Sequence, residues 1–132
     1  LAIYVTLYSP IQMLADLPDN YDGHPAFQLL KDVPVDWDDT KVLNGAVSEY
    51  ITMARRSGKT WFLGAMTNSF ERELEVKLDF LGDGKYTMTS FSDTEKTKEN
   101  AEIAEKKIIS VKKDDIVKIK MVPGGGFAAW IE

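Results

Sequence analysis

Two periodicities divide this chain. In the opening stretch LAIYVTLYSPIQMLADLP, Tyr4, Leu7, Tyr8, Ile11, Leu14 and Ala15 fall at the i, i+3, i+4, i+7 spacing of one helix face. Leu1, Ala2, Ile3 and Val5 make its beginning apolar nearly all round, which predicts a helix buried from several sides. Pro10 lacks an amide hydrogen and should kink or divide that helix. Pro18 and the turn-rich PDNYDGHP should stop it. A second short helix is predicted over residues 25–31, with Pro25 suited to a first helical position.

From about residue 33 the period changes. DVPVDWDDTKVLNG reads as a linker leading into a strand, with Asn44-Gly45 as a hairpin-turn signal. Strands are predicted over residues 46–55, 60–67, 71–80, 85–91, 106–111, 115–122 and 126–131. RELEVKLDF is the clearest: Leu74, Val76, Leu78 and Phe80 alternate with Glu73, Glu75, Lys77 and Asp79, one apolar and one wet face of an antiparallel sheet. LGDGKY and KKDD read as turns, and the charged SDTEKTKENAEIAEKK as a loop. About seven to eight short strands with regular turn signals predict a mainly β fold, an antiparallel β-sandwich. The expected division is 1–35 helical and 36–132 all-β, with no internal repeat.

Composition narrows the field further. At 132 residues the chain is long enough to bury one real core. A net charge of −5, with 16 Lys and Arg spread out, argues against nucleic-acid binding. No cysteine is present, which excludes a disulfide framework, a thiolate nucleophile and a Cys-type zinc site within these residues. A membrane span needs about 18 uninterrupted apolar residues, and Thr6, Ser9, Pro10, Gln12 and Asp16 break the opening stretch. Without a basic n-region or cleavage site, the start at Leu1 reads as mature or internal sequence, a piece of a longer protein.

Several short features invite chemistry. Gly58-Lys59-Thr60 ends as a phosphate loop does, but the glycine required earlier is Met53 and the following WFLGAM is β-rich, so a hairpin turn is expected. Gly124-Gly125-Gly126 lacks dinucleotide spacing and reads as a turn or bulge before the last strand. Asp36, Asp38 and Asp39 suggest calcium, yet Thr40 and Lys41 stand where an EF-hand loop wants a ligand and a glycine. Backbone capping by short acidic side chains is the plainer reading. His24 is the single histidine and lies in a Gly/Pro turn, which points to the surface. Trp37, Trp61 and Trp130 would make a sugar-stacking platform if coplanar and exposed; Trp61, in an apolar strand, reads as core. No catalytic, cofactor-binding or metal residue is assigned.

In order along the chain, YSPIQMLADLP, residues 32–45 (DVPVDWDDTKVLNG), MARRSGKTWFLGAMT, LDFLGDGKYT and VPGGGFAAWIE form a series. It resembles the C-terminal end of the family 97 glycoside hydrolases, bacterial α-glucosidases and α-galactosidases, across essentially the whole chain. The resemblance implies an N-terminal β-sandwich, a central (β/α)8 barrel and a C-terminal β-sandwich. Residues 1–35 would be the last helical part of the barrel and its exit, and 36–132 the C-terminal domain, non-catalytic and linked to oligomerisation. The family's catalytic glutamates and calcium-liganding carboxylates would lie in the barrel upstream of residue 1. No position here matches them, so Glu49 and the glutamates of residues 71–75 receive no catalytic role. A retaining and an inverting subgroup exist, and the residues that separate them are not in this stretch.

The resemblance further implies a periplasmic or secreted bacterial protein, partnered by the barrel of its own polypeptide and open to association with other copies; charge and hydropathy leave no nucleic-acid or membrane partner expected, and direct sugar binding is not the expected role. A carbohydrate-binding module using exposed aromatics is the alternative. Unaided glycoside hydrolysis is disfavoured because it needs two positioned carboxylates in a cleft. On this reading the opening helix is missing its barrel partner.

Overall fold

The computed structural model describes residues 1–15 and 17–132. Among the described residues, eight antiparallel strands follow three short α-helices: α1 (Ile3–Thr6), α2 (Pro18–Tyr21) and α3 (Phe27–Asp32). The strands are β1 (Asp39–Ala46), β2 (Tyr50–Ser57), β3 (Thr60–Thr67), β4 (Arg72–Lys77), β5 (Lys85–Ser92), β6 (Glu105–Lys112), β7 (Ile116–Met121) and β8 (Gly126–Ile131). They form a six-stranded sheet in the order β1-β2-β3-β8-β5-β6 and a two-stranded sheet, β4-β7. The β-sandwich is therefore present, with unequal layers.

The alternating strands place the core between these layers. Val76 and Leu78 from the β4 run, with Val117, Ile119 and Met121 of β7, face Trp61, Leu63, Ala65, Met88, Phe127, Ala129 and Ile131 of the large sheet. Glu73, Glu75 and Lys77 stay exposed, as their alternation requires. The segment after β5 is largely irregular, with one 3-10 turn at Glu95–Lys98.

Several local expectations are corrected. The opening helix is a single turn: at Leu7 the backbone becomes extended, with φ −96° and ψ 125°. Pro10 disfavours helical backbone at Ser9, and Leu7, Tyr8, Ile11 and Met13 have no face to bury against, so periodicity alone does not sustain a helix. Asp16, within that predicted helix, lies outside the described residues. Pro18 starts a one-turn helix rather than only stopping one, and the next helix begins at Phe27, two residues after Pro25.

The Asn44-Gly45 pair does not turn. Both residues lie inside β1, opposite Thr52 and Ile51, next to a bulge between Val42 and Asn44. The turn comes at 47–49, where Ser48 takes φ 66°, and β2 is shifted to Tyr50–Ser57 accordingly. Lastly, α1 has a partner within the chain: Ala2, Val5 and Thr6 are buried, and α1 lies against β3 and β2.

Candidate functional site

The face of the large sheet opposite the sandwich core carries the unusual features. Cross-strand register aligns Arg55 with Phe62 and Trp130, Met53 with Gly64 and Ala128, and Ile51 with Met66 and Gly126. Directly opposite residues in an antiparallel ladder share a face, so these residues form the outer surface. Small residues cut a channel there, and α1 occupies it. A Cβ on Gly64 would come within 2.8 Å of Val5, and one on Gly126 within 3.1 Å of Ala2 Cβ. The Thr6 hydroxyl donates to Met66 Sδ at 2.8 Å.

Farther along the same face, Ala26 and Leu29 pack with Phe91 and Ala128, joined by Leu1, Leu30, Ala104 and Trp130. Val5 and Leu29 are fully buried, each contributing about 1.5–3 kcal/mol by removal from water.

Arg55 is buried on this surface. Its Nη2 donates to the Thr6 carbonyl at 3.3 Å, and its guanidinium lies 5.5 Å from the centre of the Trp37 ring. Nε and Nη1 have no hydrogen-bond acceptor, and burial holds the group below the usual arginine range. The Trp37 face compensates part of that desolvation.

The three tryptophans do not share one platform. Trp61 is buried in the sandwich core, 4.8 Å from Phe80, whereas Trp130 and Phe91, 6.1 Å apart, lie on the outer side. Trp37 meets Phe62 edge-on at 5.5 Å.

Gly58-Lys59 is a two-residue hairpin tip between the paired Ser57 and Thr60, with Gly58 at φ 59°. Its amide donates to Asp38 Oδ2 at 2.7 Å, so that aspartate caps a turn, and Asp39 pairs with Lys41 at 3.8 Å. Among the described residues, no group of three or more His, Asp or Glu side chains is placed to hold a metal ion. His24 is exposed; its Nδ1 accepts from the Ala26 amide at 3.2 Å and its Nε2 donates to the Glu102 carbonyl at 3.3 Å. Glu49 pairs with Arg72 at 2.7 Å and Glu75 with Lys118 at 3.6 Å.

Sequence reasoning passed over Asp93. Its Oδ2 accepts from the amides of Val122 at 3.1 Å and Gly126 at 2.9 Å, holding the glycine-rich turn before β8. A Cβ on Gly125 would strike that same oxygen, so the middle glycine serves the anchor. Burial pushes the Asp93 carboxyl up, while the two amides pull it down. Nothing in the local pattern of FSDTEK marks this aspartate, because its partners are some 30 residues away.

A second missed feature is a closed ionic square on the small sheet. Lys98 meets Glu71 at 2.8 Å and Glu95 at 2.9 Å, and Lys120 meets the same two carboxylates at 3.3 and 2.7 Å. Hydrogen bonds from Lys120 and then Lys98 lower the Glu95 carboxyl to about 2.

Comparisons with known proteins agree on one relationship. A family profile described as glycosyl-hydrolase 97 C-terminal, oligomerisation, matches residues 36–132. A retaining alpha-galactosidase of Bacteroides thetaiotaomicron is 38% identical over 133 residues, covering 100% of this chain and 20% of its own length. A probable retaining alpha-galactosidase of Streptomyces bingchenggensis is 33% identical, covering 98% of this chain and 19% of its own. Among solved structures, a glycoside hydrolase family 97 enzyme from Pseudoalteromonas sp. strain K8, in complex with panose, superposes with TM-score 0.92 at 39% identity. It covers 99% of this chain and 22% of that one. A beta-arabinopyranosidase superposes with TM-score 0.79 at 29% identity, covering 98% and 20%. The chain thus spans about a fifth of the length of the relatives it matches.

Proposed function

The chain belongs to the C-terminal domain family of the family 97 glycoside hydrolases, and from that premise we propose that it is the non-catalytic packing and self-association domain of an α-glycosidase. Residues 1–35 are read as the end of the catalytic barrel and its exit, and 36–132 as the domain proper. The start of the family match at residue 36 supports that division. The catalytic glutamates and calcium belong, in this reading, to the upstream barrel, and the whole protein works in the periplasm or outside a bacterial cell.

One observation carries the packing role. Immediately after the docked α1, Leu7, Tyr8, Ile11 and Met13 stand 56%, 63%, 75% and 77% exposed in succession. A run of large apolar side chains in water is unfavourable by about 25 cal/mol per Å2, so it asks for a covering surface. In the proposed parent enzyme, the catalytic barrel is the natural cover.

Assays of the full-length protein and of the 132-residue chain with p-nitrophenyl α-galactoside and α-glucoside test the division of labour. Turnover is expected from the full-length protein and none from the chain. Turnover by the chain alone would overturn the non-catalytic assignment. Saturable heat on titrating the chain with malto-oligosaccharides would favour a carbohydrate-binding module instead.

A further inference from the structure

The β1–β2 end of the large sheet carries an apolar knob beside an apolar hollow. Val47, at the hairpin tip, is 97% exposed, where turn chemistry favours Gly, Asn, Asp or Ser. Next to it lies a hollow of about 520 Å3 lined by Val42, Gly45, Ile51 and Met66 with the hairpin tip itself. The hollow exists because Gly45 brings no side chain to the outer face between Ile51 and the exposed Val42.

The tip is also held still. The Asn68 side chain donates to the Ser48 carbonyl at 3.1 Å, and the Asn68 amide donates to the Glu49 carbonyl at 2.8 Å. Phe70, itself 64% exposed, hangs from the same anchor, its amide donating to Asn68 Oδ1 at 3.1 Å. A fixed knob loses little conformational entropy on docking.

We propose that this end is the self-association surface, and that its occupant is a second copy of the chain related by a two-fold axis. This rests on the oligomerisation reading above. Knob and hollow adjoin on one hairpin, so a single two-fold operation seats each Val47 in the other copy's hollow, as an isologous contact requires. Charge favours the same place. The one acid lining the hollow, Glu49, is paired with Arg72 at 2.7 Å, so two copies meeting there bring no unpaired like charges together from the hollow.

Sedimentation velocity of the full-length protein over a wide concentration range tests it, with Val47→Asp, Val42→Glu and, as a control on the small sheet, Ile116→Asp. The wild type self-associates. Val47→Asp and Val42→Glu each raise the dissociation constant by more than about tenfold with unchanged circular dichroism. Ile116→Asp leaves it in place. Association that survives both hairpin variants overturns this surface and leaves the oligomerisation reading standing. A wild type monomeric at every concentration overturns both.

Discussion

The two faces of the large sheet are closed by different physics. The inner face meets β4-β7, which advertises itself by alternation, with Leu74, Val76 and Leu78 beside Val117, Ile119 and Met121. The outer face meets the opening arm, whose contacts depend on missing side chains at Gly64 and Gly126. One closure is a property of strands, the other of holes. The inner core should therefore govern whether the chain folds, and the outer one whether the folded sheet keeps its cover.

The largest effect sharpens this contrast. Leu78→Ala, at a fully buried core position, should cost about 2–5 kcal/mol in chemical denaturation and lower every probe together. Gly64→Ala places a methyl within 2.8 Å of Val5 and should cost less, about 1–3 kcal/mol. Its signature is selective: hydrogen exchange rises in α1 while β3, β8 and β5 stay protected. Uniform loss of protection in Gly64→Ala would show that the two closures are one cooperative unit.

That contrast also explains what the chain's pattern reveals. β3 and β8 are readable to the residue because apolar runs end in hairpin or glycine signals that the ladder respects. Asn44-Gly45 misleads because a bulge absorbs the irregularity inside β1, moving the turn to Ser48. Residues 4–15 carry a helical period, yet only one turn forms, since helix formation over Leu7–Leu14 would need a surface that these residues do not have. Asp93, Arg55 and the Val47 hollow are invisible locally because each is made by segments distant in sequence. The family resemblance reached the function through the ensemble of motifs, without passing through any of these three.

Arg55 breaks the comparison from the other side, because it is a charge on a face otherwise closed by apolar contact. With Nε and Nη1 unpaired, Arg55→Met should be nearly neutral, within about 1 kcal/mol in a denaturant titration, as apolar replacements of buried charges often are. Trp37→Ala in the wild type should cost more than it does in Arg55→Met, since only the former leaves a cation without its ring. Equal costs in both backgrounds would remove the cation–π account.

The smallest effect belongs to the ionic square, which ties the 3-10 turn to the solvent side of β4-β7. Glu95 titrates near 2 in the folded chain, below the carboxylate's ordinary 4.5. The folded state thus holds its proton less tightly than the unfolded state. Its stabilisation is complete above about pH 4.5 and is lost as pH falls toward 2. All four side chains are well exposed, so salt screens them and the effect on global stability is slight. Thermal melts between those pH values should fall less steeply for Glu95→Gln than for the wild type, and the difference should shrink in high salt. Leu78→Ala should keep the wild-type slope, because its deficit lies in packing and carries no proton. An unchanged slope in Glu95→Gln would mean that the turn is held by its Thr94–Thr97 capping bonds alone.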